Sequence, residues 1–238
     1  MMPFSSALQL AYISLVTTAW VKPKMFPPRE KGPVARQLLA AHNMFLIMWS
    51  SAIALTVSHS VWTRSYGLWR NEVDLSDSNM VMAFNHFAYT KVYEFADTAF
   101  IIYFGNLRQL SFLHVYHHLV ASTLGFLTAA DAPGGDGWFA VVGNSVVHVV
   151  MYSYYMASAL QIDKRWLMWG RYLTQMQILQ FVVIMFQHSA SFIGGTYPRY
   201  LLGANMVFLS TLMVLFSKFY TKKWTQVTLV ANNEQKTT

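Results

Sequence analysis

Long stretches without any charged side chain are the feature that most restricts how this chain can fold. Six windows contain no Asp, Glu, Lys or Arg: 1–21, 37–63, 109–130, 137–162, 172–198 and 200–217. A helix that spans a bilayer needs about 20 largely apolar residues. A seventh apolar stretch, about 80–104, is interrupted only by Lys91, Glu94 and Asp97. We therefore predict seven transmembrane helices, at about 4–21, 38–60, 82–104, 110–129, 138–160, 166–188 and 200–219.

The composition is that of an all-α integral membrane protein. Apolar residues make up 55% of the chain and charged residues only 11%, against roughly 25% charged residues in a soluble domain. A soluble or disordered chain needs more charge than this. The absence of cysteine excludes disulfide scaffolds, thiolate metal sites and a cysteine nucleophile. With no internal repeat and no basic segment ahead of the first helix, we expect a single polytopic domain over 1–238 and no cleaved signal peptide.

Lysine and arginine predict the orientation of the helices. Of the 17 basic residues, 13 lie in alternate loops and the C-terminal tail, in the last case at Lys218, Lys222, Lys223 and Lys236. Such an excess marks the cytosolic side of a membrane protein. The other side has only Arg64, Arg70 and Arg199. We therefore expect a lumenal N-terminus and a cytosolic C-terminus, with some of the cytosolic cations available to bind an anionic ligand.

Polar side chains cluster where apolar residues would be expected. The third predicted helix carries Lys91, Glu94, Asp97 and Thr98 on one side, at steps of three and four. Each unpaired charge in mid-membrane costs roughly 2.5–3.5 kcal/mol, so we expect these groups to be paired or turned inward. A Lys91–Glu94 ion pair would be one such arrangement.

Three histidines open the fourth predicted helix. His114, His117 and His118 lie within one arc of the helix surface and are expected to face the same way. Imidazole can act as a metal ligand, a general base or a nucleophile. One buried histidine is often only a packed core residue, but three within five positions indicate chemistry.

The next two helices add polar groups at helical spacing. Asn144, His148, Tyr152 and Tyr155 share nearly one face of the fifth helix. The sixth helix carries Thr174, Gln177 and Gln180 at steps of three, for which interhelical hydrogen bonding is an alternative explanation. His117 and His148 are expected at roughly 13 Å and 22 Å from the cytosolic ends of their helices. A polar chamber open to the cytosol, with an apolar remainder, would suit an amphiphile with a long tail.

Four segments in this order resemble one family. KVYEFADTAF at 91–100 fits the pattern KxxExxDTxF, and FLHVYHH at 112–118 contains the histidine box LHxxHH. NSVVHVVMYSYY at 144–155 fits NxxxHxxMYxYY, and LTQMQILQF at 173–181 fits TxxQxxQF. The chain thus resembles the ELO family of very-long-chain fatty acid elongases over about 85–185, with His42 and Asn43 where many members have Tyr-Asn. A histidine box alone is a weak signal, but four ordered motifs are strong.

The resemblance implies an activity, a fold and substrates. It implies a 3-ketoacyl-CoA synthase, an acyltransferase that condenses a long-chain acyl-CoA with malonyl-CoA and releases CO2 and CoA. Both CoA esters are substrates, and no cofactor or metal is expected. Six of the seven helices are expected to enclose a central acyl-chain tunnel. The resemblance also implies an endoplasmic reticulum membrane, a reductase and a dehydratase as partners, and no nucleic acid. Association with a second copy of the chain is left open.

Roles for individual residues follow from the same resemblance. Because no cysteine is available, His117 is expected to accept the acyl group, with His148 as its partner across the chamber. Asn144 would orient His148 or bind an enolate oxygen. His114 and His118, together with Glu94 and Asp97, would set the tautomer and the protonation state of the catalytic histidines. The remaining expected site residues bind substrate and are Lys91, Tyr152, Tyr155, Gln177 and Gln180.

One loop departs from the family pattern. Many members have LRKK after the DTxF segment, whereas this chain has Tyr103, Phe104, Gly105 and Asn106. The first loop, Lys164, Arg165 or the tail would then have to supply the charge that binds the CoA phosphates.

Two other functions remain as alternatives. A membrane di-iron oxidase also uses HxxHH boxes, but it needs several of them, and this chain has one. A seven-helix transporter or receptor could use Glu94, Asp97 and the histidines as a proton relay. Iron analysis would identify the first, and incorporation of malonyl carbons into lipid would exclude the second.

Overall fold

The computed structural model is all-helical over the residues it describes, which are 2–163 and 169–236 for the backbone and 6–163 and 169–223 for the side chains. No strand occurs in these ranges. The α-helices are α1 (Met2–Val21), α2 (Pro33–Thr63), α3 (Ser78–Tyr93), α4 (Phe95–Tyr103), α5 (Phe112–Asp131), α6 (Trp138–Ala159), α7 (Gly170–Gly194) and α8 (Arg199–Lys236). The predicted helix start at 166 and the cations Lys164 and Arg165 lie outside the described residues, as do Met1 and Thr238.

Local sequence signals explain where several helices begin. Pro33 follows Gly32 at the start of α2, where its missing N–H costs nothing. The Asp77 side chain accepts a 3.0 Å hydrogen bond from the Met80 N–H at the start of α3. The Ser111 hydroxyl accepts one of 3.3 Å from the His114 N–H at the start of α5. The α5 cap holds the histidine box at the beginning of its helix.

The third predicted helix is wrong as a continuous element, because the structure divides it at Glu94. The Asp97 N–H bonds the Glu94 carbonyl at 3.0 Å, three residues back rather than four. Such a tightened turn redirects a helix. The break separates Lys91 on α3 from Asp97 on α4, so these side chains meet different partners.

The last two helices extend beyond their predicted ends. α7 continues to Gly194, which places His188 inside the helix rather than at its end. α8 continues to Lys236 instead of ending near 219. The prediction ends the helix at its first lysines, but lysine, glutamine and threonine do not stop a helix, and no Gly or Pro follows Gly203.

The helices alternate in direction between two ends of the bundle. At the near end, which we define by the loop 104–111, Arg29 N–H bonds the Phe104 carbonyl and Arg36 bonds Gln161 at 2.5 Å. At the far end, defined by the turn 132–137, Tyr197 bonds the Ala132 carbonyl at 2.9 Å. α2 packs along α6, α3 along α5, and α7 along α8.

The distribution of side chains is reversed relative to a soluble protein. Large apolar side chains such as Trp62, Leu55, Phe186 and Ile193 are exposed, whereas Lys91, Glu94, His118 and His148 are buried. α2, α7 and the Arg199–Lys223 part of α8 are long and apolar enough to cross a bilayer. These features are those of a multi-pass membrane protein.

A glycine at the near end permits a close backbone contact. Gly105 has φ of +66°, and a Cβ there would overlap the Pro27 carbonyl. We expect Gly105→Ala to lower the free energy of unfolding by at least about 2 kcal/mol, from the left-handed conformation and the overlap together. Thermal unfolding in detergent measures this. Gly203→Ala is the matched control, because its Cβ meets no atom within 4 Å. An equally stable Gly105→Ala protein would contradict the close contact.

Candidate active site

A buried charged network lies where α3 ends. The Lys91 ammonium donates a 2.8 Å hydrogen bond to Oε1 of Glu94, which is the ion pair expected from the sequence. The same oxygen lies 3.2 Å from Nδ1 of His148 on α6. The other Glu94 oxygen lies 4.0 Å from Nδ1 of His118 on α5. Glu94 therefore connects three helices, and the desolvation of its charge is offset by these partners.

A second carboxylate, that of Asp97, contacts side chains that lie closer to the near end of the bundle. Oδ1 of Asp97 lies 2.7 Å from Nε2 of His42, and Oδ2 accepts a 2.7 Å hydrogen bond from the Tyr152 hydroxyl. Asp97 thus links α4 to α2 and α6. At the next residue, the Thr98 hydroxyl lies 2.7 Å from Nε2 of His114 and donates to the Tyr12 hydroxyl at 3.2 Å.

A cavity of about 90 Å³ begins beside this network and runs toward the far end. Lys91, His117, Asn144 and Gln180 contribute polar groups where it starts. Its middle is apolar. The apolar lining consists of Phe87, Ala121, Leu124, Gly125, Ala140, Val141, Phe181, Ile184, Phe208, Leu209 and Leu212. The cavity is therefore amphiphilic, with its reactive groups at one end. Five helices line it, and enclosure by six stays a prediction.

Three buried polar atoms of the charged network and the cavity lining lack a hydrogen-bond partner among the described residues. They are Nδ1 of His117, Nδ1 of His118 and Oδ1 of Asn144. His117 packs instead against the ring of Phe208, with centroids 5.9 Å apart. Buried polar atoms are rarely left unpaired, and exceptions concentrate at reactive sites. His117 and Asn144 thus differ from His114 and His148, whose ring nitrogens face protein partners.

The three clustered histidines do not face one set of partners, contrary to the expectation. His114 and His118 have ring centroids 4.4 Å apart and face α3 and α4. His117 faces the cavity and α8. A 100° arc is wide enough for its edges to contact different neighbours.

Three expected substrate-binding residues, Tyr152, Tyr155 and Gln177, do not line the cavity. The Gln177 amide contacts Sδ of Met151 at 3.7 Å, which is an interhelical contact. Tyr155 is 43% exposed and packs its ring against Tyr152, with centroids 6.0 Å apart. Their substrate-binding roles stay predictions.

Buried polar contacts lie next to the far end of the cavity. The Asp136 side chain is fully buried and accepts hydrogen bonds from the Asn71 N–H at 2.7 Å and from the Arg70 N–H at 3.0 Å. Tyr197 covers the turn above Gly137, and burial raises the pKa of its phenol. The phenol therefore stays a donor to the Ala132 carbonyl.

The sequence reasoning assigned no role to several residues that the structure places at these sites. Tyr12 and His42 complete the contacts of Thr98 and Asp97. His188 and Asn205 line the far end of the cavity. A signal for His188 was present, because Gln180, Ile184 and His188 follow at steps of four on one face of α7. Tyr12 gave no such signal, since it contacts residues far away in the sequence.

Comparison with known proteins decides the family. A family model described as "GNS1/SUR4 family" (ELO) matches residues 2–230. The chain belongs to the ELO family. It is 32% identical over 206 residues to "Very long chain fatty acid elongase 5" of Tachysurus fulvidraco, covering 84% of this chain and 69% of the relative. The Homo sapiens protein of that name is also 32% identical, over 84% of this chain and 68% of its own length.

A third relative matches a slightly longer part of this chain. The Xenopus laevis protein of the same name is 30% identical over 214 residues, or 88% of this chain and 72% of that protein. ELO membership agrees with the apolar spans and the polar interior of the bundle. Both the charged network and the cavity lie within the matched residues.

Proposed function

We propose that this protein catalyses the condensing step of fatty acid elongation, in which long-chain acyl-CoA and malonyl-CoA give 3-ketoacyl-CoA, CO2 and CoA. Its ELO membership and the names of its relatives support a role in elongation. The observation that carries the proposal is the amphiphilic cavity with His117, Asn144 and Lys91 at one end. An acyl chain placed along the apolar part with its thioester at this end would bring the thioester beside these three residues.

The first half-reaction transfers the acyl group to His117. A ring nitrogen attacks the thioester carbonyl, the N–C bond forms and the C–S bond breaks. The other ring nitrogen loses its proton, and the leaving thiolate gains one to become CoA. The absence of a described partner on His117 leaves the imidazole free to react. His148, whose Nδ1 lies 3.2 Å from Oε1 of Glu94, is the base that we assign to take the proton from His117.

The second half-reaction uses the acyl-imidazole. Malonyl-CoA loses CO2, and the resulting enolate carbon attacks the acyl carbonyl, so that a C–C bond forms and the N–C bond to His117 breaks. The leaving imidazole nitrogen takes up one proton, which restores neutral His117. Lys91 supplies positive charge for the malonyl carboxylate or the enolate, and the Asn144 amide supplies a hydrogen-bond donor. Gln180 lines the same end of the cavity.

The first loop supplies the charge for the CoA phosphates. Arg29 stacks over the ring of Tyr103, 4.6 Å from its centroid, and Lys31 lies 5.2 Å from that of Phe104. These two aromatic residues belong to the segment 103–106, where many family members carry LRKK. Arg29 and Lys31 thus place cations beside the loop that lacks them. Arg108 is exposed on the same loop.

We propose that the histidines act without a metal. His114 is engaged by Thr98 and His148 by Glu94, so their nitrogens do not converge with that of His117 on one point. Elongation should therefore persist in detergent after treatment with EDTA and with an iron chelator. Loss of activity that one added metal restores would instead favour a metal-dependent reaction.

All seven helices, with α3 and α4 as one interrupted span, cross the endoplasmic reticulum membrane in this proposal. The near end then faces the cytosol, where a reductase and a dehydratase take up the 3-ketoacyl-CoA. A glycosylation acceptor fused after Thr238 should remain unmodified, whereas one placed before Met1 should be modified, because the near end carries most of the cations. The reverse pattern would overturn the orientation.

Incubation of the purified protein with acyl-CoA and radiolabelled malonyl-CoA tests the function. The expected product is a 3-ketoacyl-CoA two carbons longer than the acyl donor, formed only when both substrates are present. A transporter or receptor would form no such product. Expression in an elongase-deficient host followed by fatty-acid profiling then identifies the acyl chains that are extended.

A further inference from the structure

The far end of the cavity is polar, although the end of an ordinary acyl chain is a methyl group. His188, Asn205, Tyr197 and Thr128 line it, about 16 Å along α5 from the level of His117. His188 is 2% exposed and Tyr197 is 4% exposed. A buried polar lining without a polar ligand costs free energy, because the chain end cannot replace the hydrogen bonds of water. The chemistry of this lining therefore indicates what it binds.

Hydrogen bonds around Gln187 fix the state of His188. The Gln187 amide nitrogen donates to the carbonyls of Leu68 at 3.0 Å and Asp136 at 3.1 Å, so the amide cannot be reversed. Its oxygen, an acceptor only, lies 2.7 Å from Nδ1 of His188. Nδ1 must then carry the hydrogen, and Nε2 of the neutral ring is an acceptor. Nε2 has no hydrogen-bond partner among the described residues.

Asn205 provides a donor at the same end. Its amide nitrogen gives one hydrogen to the Leu201 carbonyl at 3.1 Å, which leaves the second hydrogen available. The oxygen of Tyr197, whose hydrogen bonds the Ala132 carbonyl, can accept. An acceptor and a donor thus lie at the far end of the cavity. A hydroxyl group, which both donates and accepts, matches this pair.

We propose that the far end of the cavity is a binding subsite for a terminal hydroxyl group, so that the protein accepts ω-hydroxyacyl chains. The hydroxyl donates to Nε2 of His188 and accepts from the Asn205 amide. This proposal rests on the proposed function, because it takes the cavity as the acyl-chain site. An unsubstituted chain long enough to reach His188 would leave Nε2 buried against a methyl group, whereas a shorter chain would not.

The test compares palmitoyl-, stearoyl- and arachidoyl-CoA with their ω-hydroxy counterparts as substrates of the full-length protein in detergent. At the chain length that reaches the far end, kcat/KM should favour the ω-hydroxy substrate by about tenfold. His188→Leu should remove or reverse this preference while the shorter chains are elongated as before. His188→Gln, which keeps an acceptor, should restore part of it.

A second variant and a control separate specificity from folding. Asn205→Leu does not touch the Gln187 network, and it should also reduce the preference for the ω-hydroxy chain. His59→Leu changes an exposed histidine on α2 and should leave the preference unchanged. Equal kcat/KM for each pair at all three lengths would overturn the subsite, and so would a preference that survives both His188→Leu and Asn205→Leu.

Direct binding distinguishes failure of this proposal from failure of the proposed function. ω-Hydroxypalmitic acid and palmitic acid, and the longer pairs, compete with the fluorescent cis-parinaric acid for the cavity. If no acyl-CoA is elongated, the condensing function is wrong, and the subsite is then decided by whether the ω-hydroxy acid still displaces the probe more tightly. Equal displacement by both members of every pair, in wild type and in His188→Leu, would show that the subsite does not exist.

Discussion

Replacement of His117 by alanine is expected to reduce elongation by at least ~10³-fold. The imidazole is the only group at the polar end of the cavity assigned to form a covalent bond with the acyl chain. The fold should survive, since His117 makes no hydrogen bond to a described residue and packs mainly on Phe208. Steady-state rates with saturating acyl-CoA and malonyl-CoA measure the loss.

The matched control is His59→Ala, which removes an exposed imidazole from α2. It should retain full activity and the thermal stability of the wild type. If His117→Ala kept more than about a tenth of the wild-type rate while folding normally, a hydrogen-bonding role worth roughly 0.5–1.5 kcal/mol would suffice for His117. Nucleophilic catalysis at this residue would then be contradicted.

Removal of the Glu94 carboxylate is expected to produce the largest loss of stability. Glu94→Ala leaves the Lys91 ammonium buried without its 2.8 Å partner and removes the acceptor beside His148. Breaking one half of a buried ion pair costs about 3–5 kcal/mol. We expect low yields in detergent and a clearly lowered Tm, measured by thermal unfolding, together with loss of elongation.

The double variant Lys91→Met/Glu94→Leu separates stability from chemistry. Apolar residues of similar volume often replace a buried ion pair at little cost, so the Tm should recover most of the way. Elongation should stay absent, because the charge proposed to hold the malonyl carboxylate is gone. A double variant as unstable as Glu94→Ala would show that the ion pair is not the source of the instability.

Much of the bundle could be predicted from the distribution of charge alone. The start and end of α6 at Trp138–Ala159 lie within a residue or so of the prediction, because a glycine-rich turn and Asp163 bound an uncharged run. The predicted helix boundaries are wrong where the positions of charged residues do not coincide with the ends of helices. The tail of α8 contains lysines that a helix tolerates, and the break at Glu94 depends on partners from α5 and α6 that one helix cannot reveal.

The candidate site, like the fold, could be predicted only in part from the sequence. Steps of three and four along each helix identified Lys91, Glu94, His117, His148 and Asn144, because polar residues inside a membrane are costly enough to mark a site. Which of them meet could not be derived, since contacts such as that of Asp97 with His42 join residues 55 positions apart in the sequence. The family motifs indicate which residues belong to the site, but not which of them contact one another.

Release of CoA from acyl-CoA in the absence of malonyl-CoA tests the central claim most directly. The purified protein, given palmitoyl-CoA alone, should release about one CoA per active site, and mass spectrometry should locate the acyl group on His117. His117→Ala should release none, whereas His59→Ala should release as much as the wild type. If CoA appears only when malonyl-CoA is also present, and no modified His117 is found, the acyl-histidine account is contradicted and the histidines act only as acids, bases or hydrogen-bond donors.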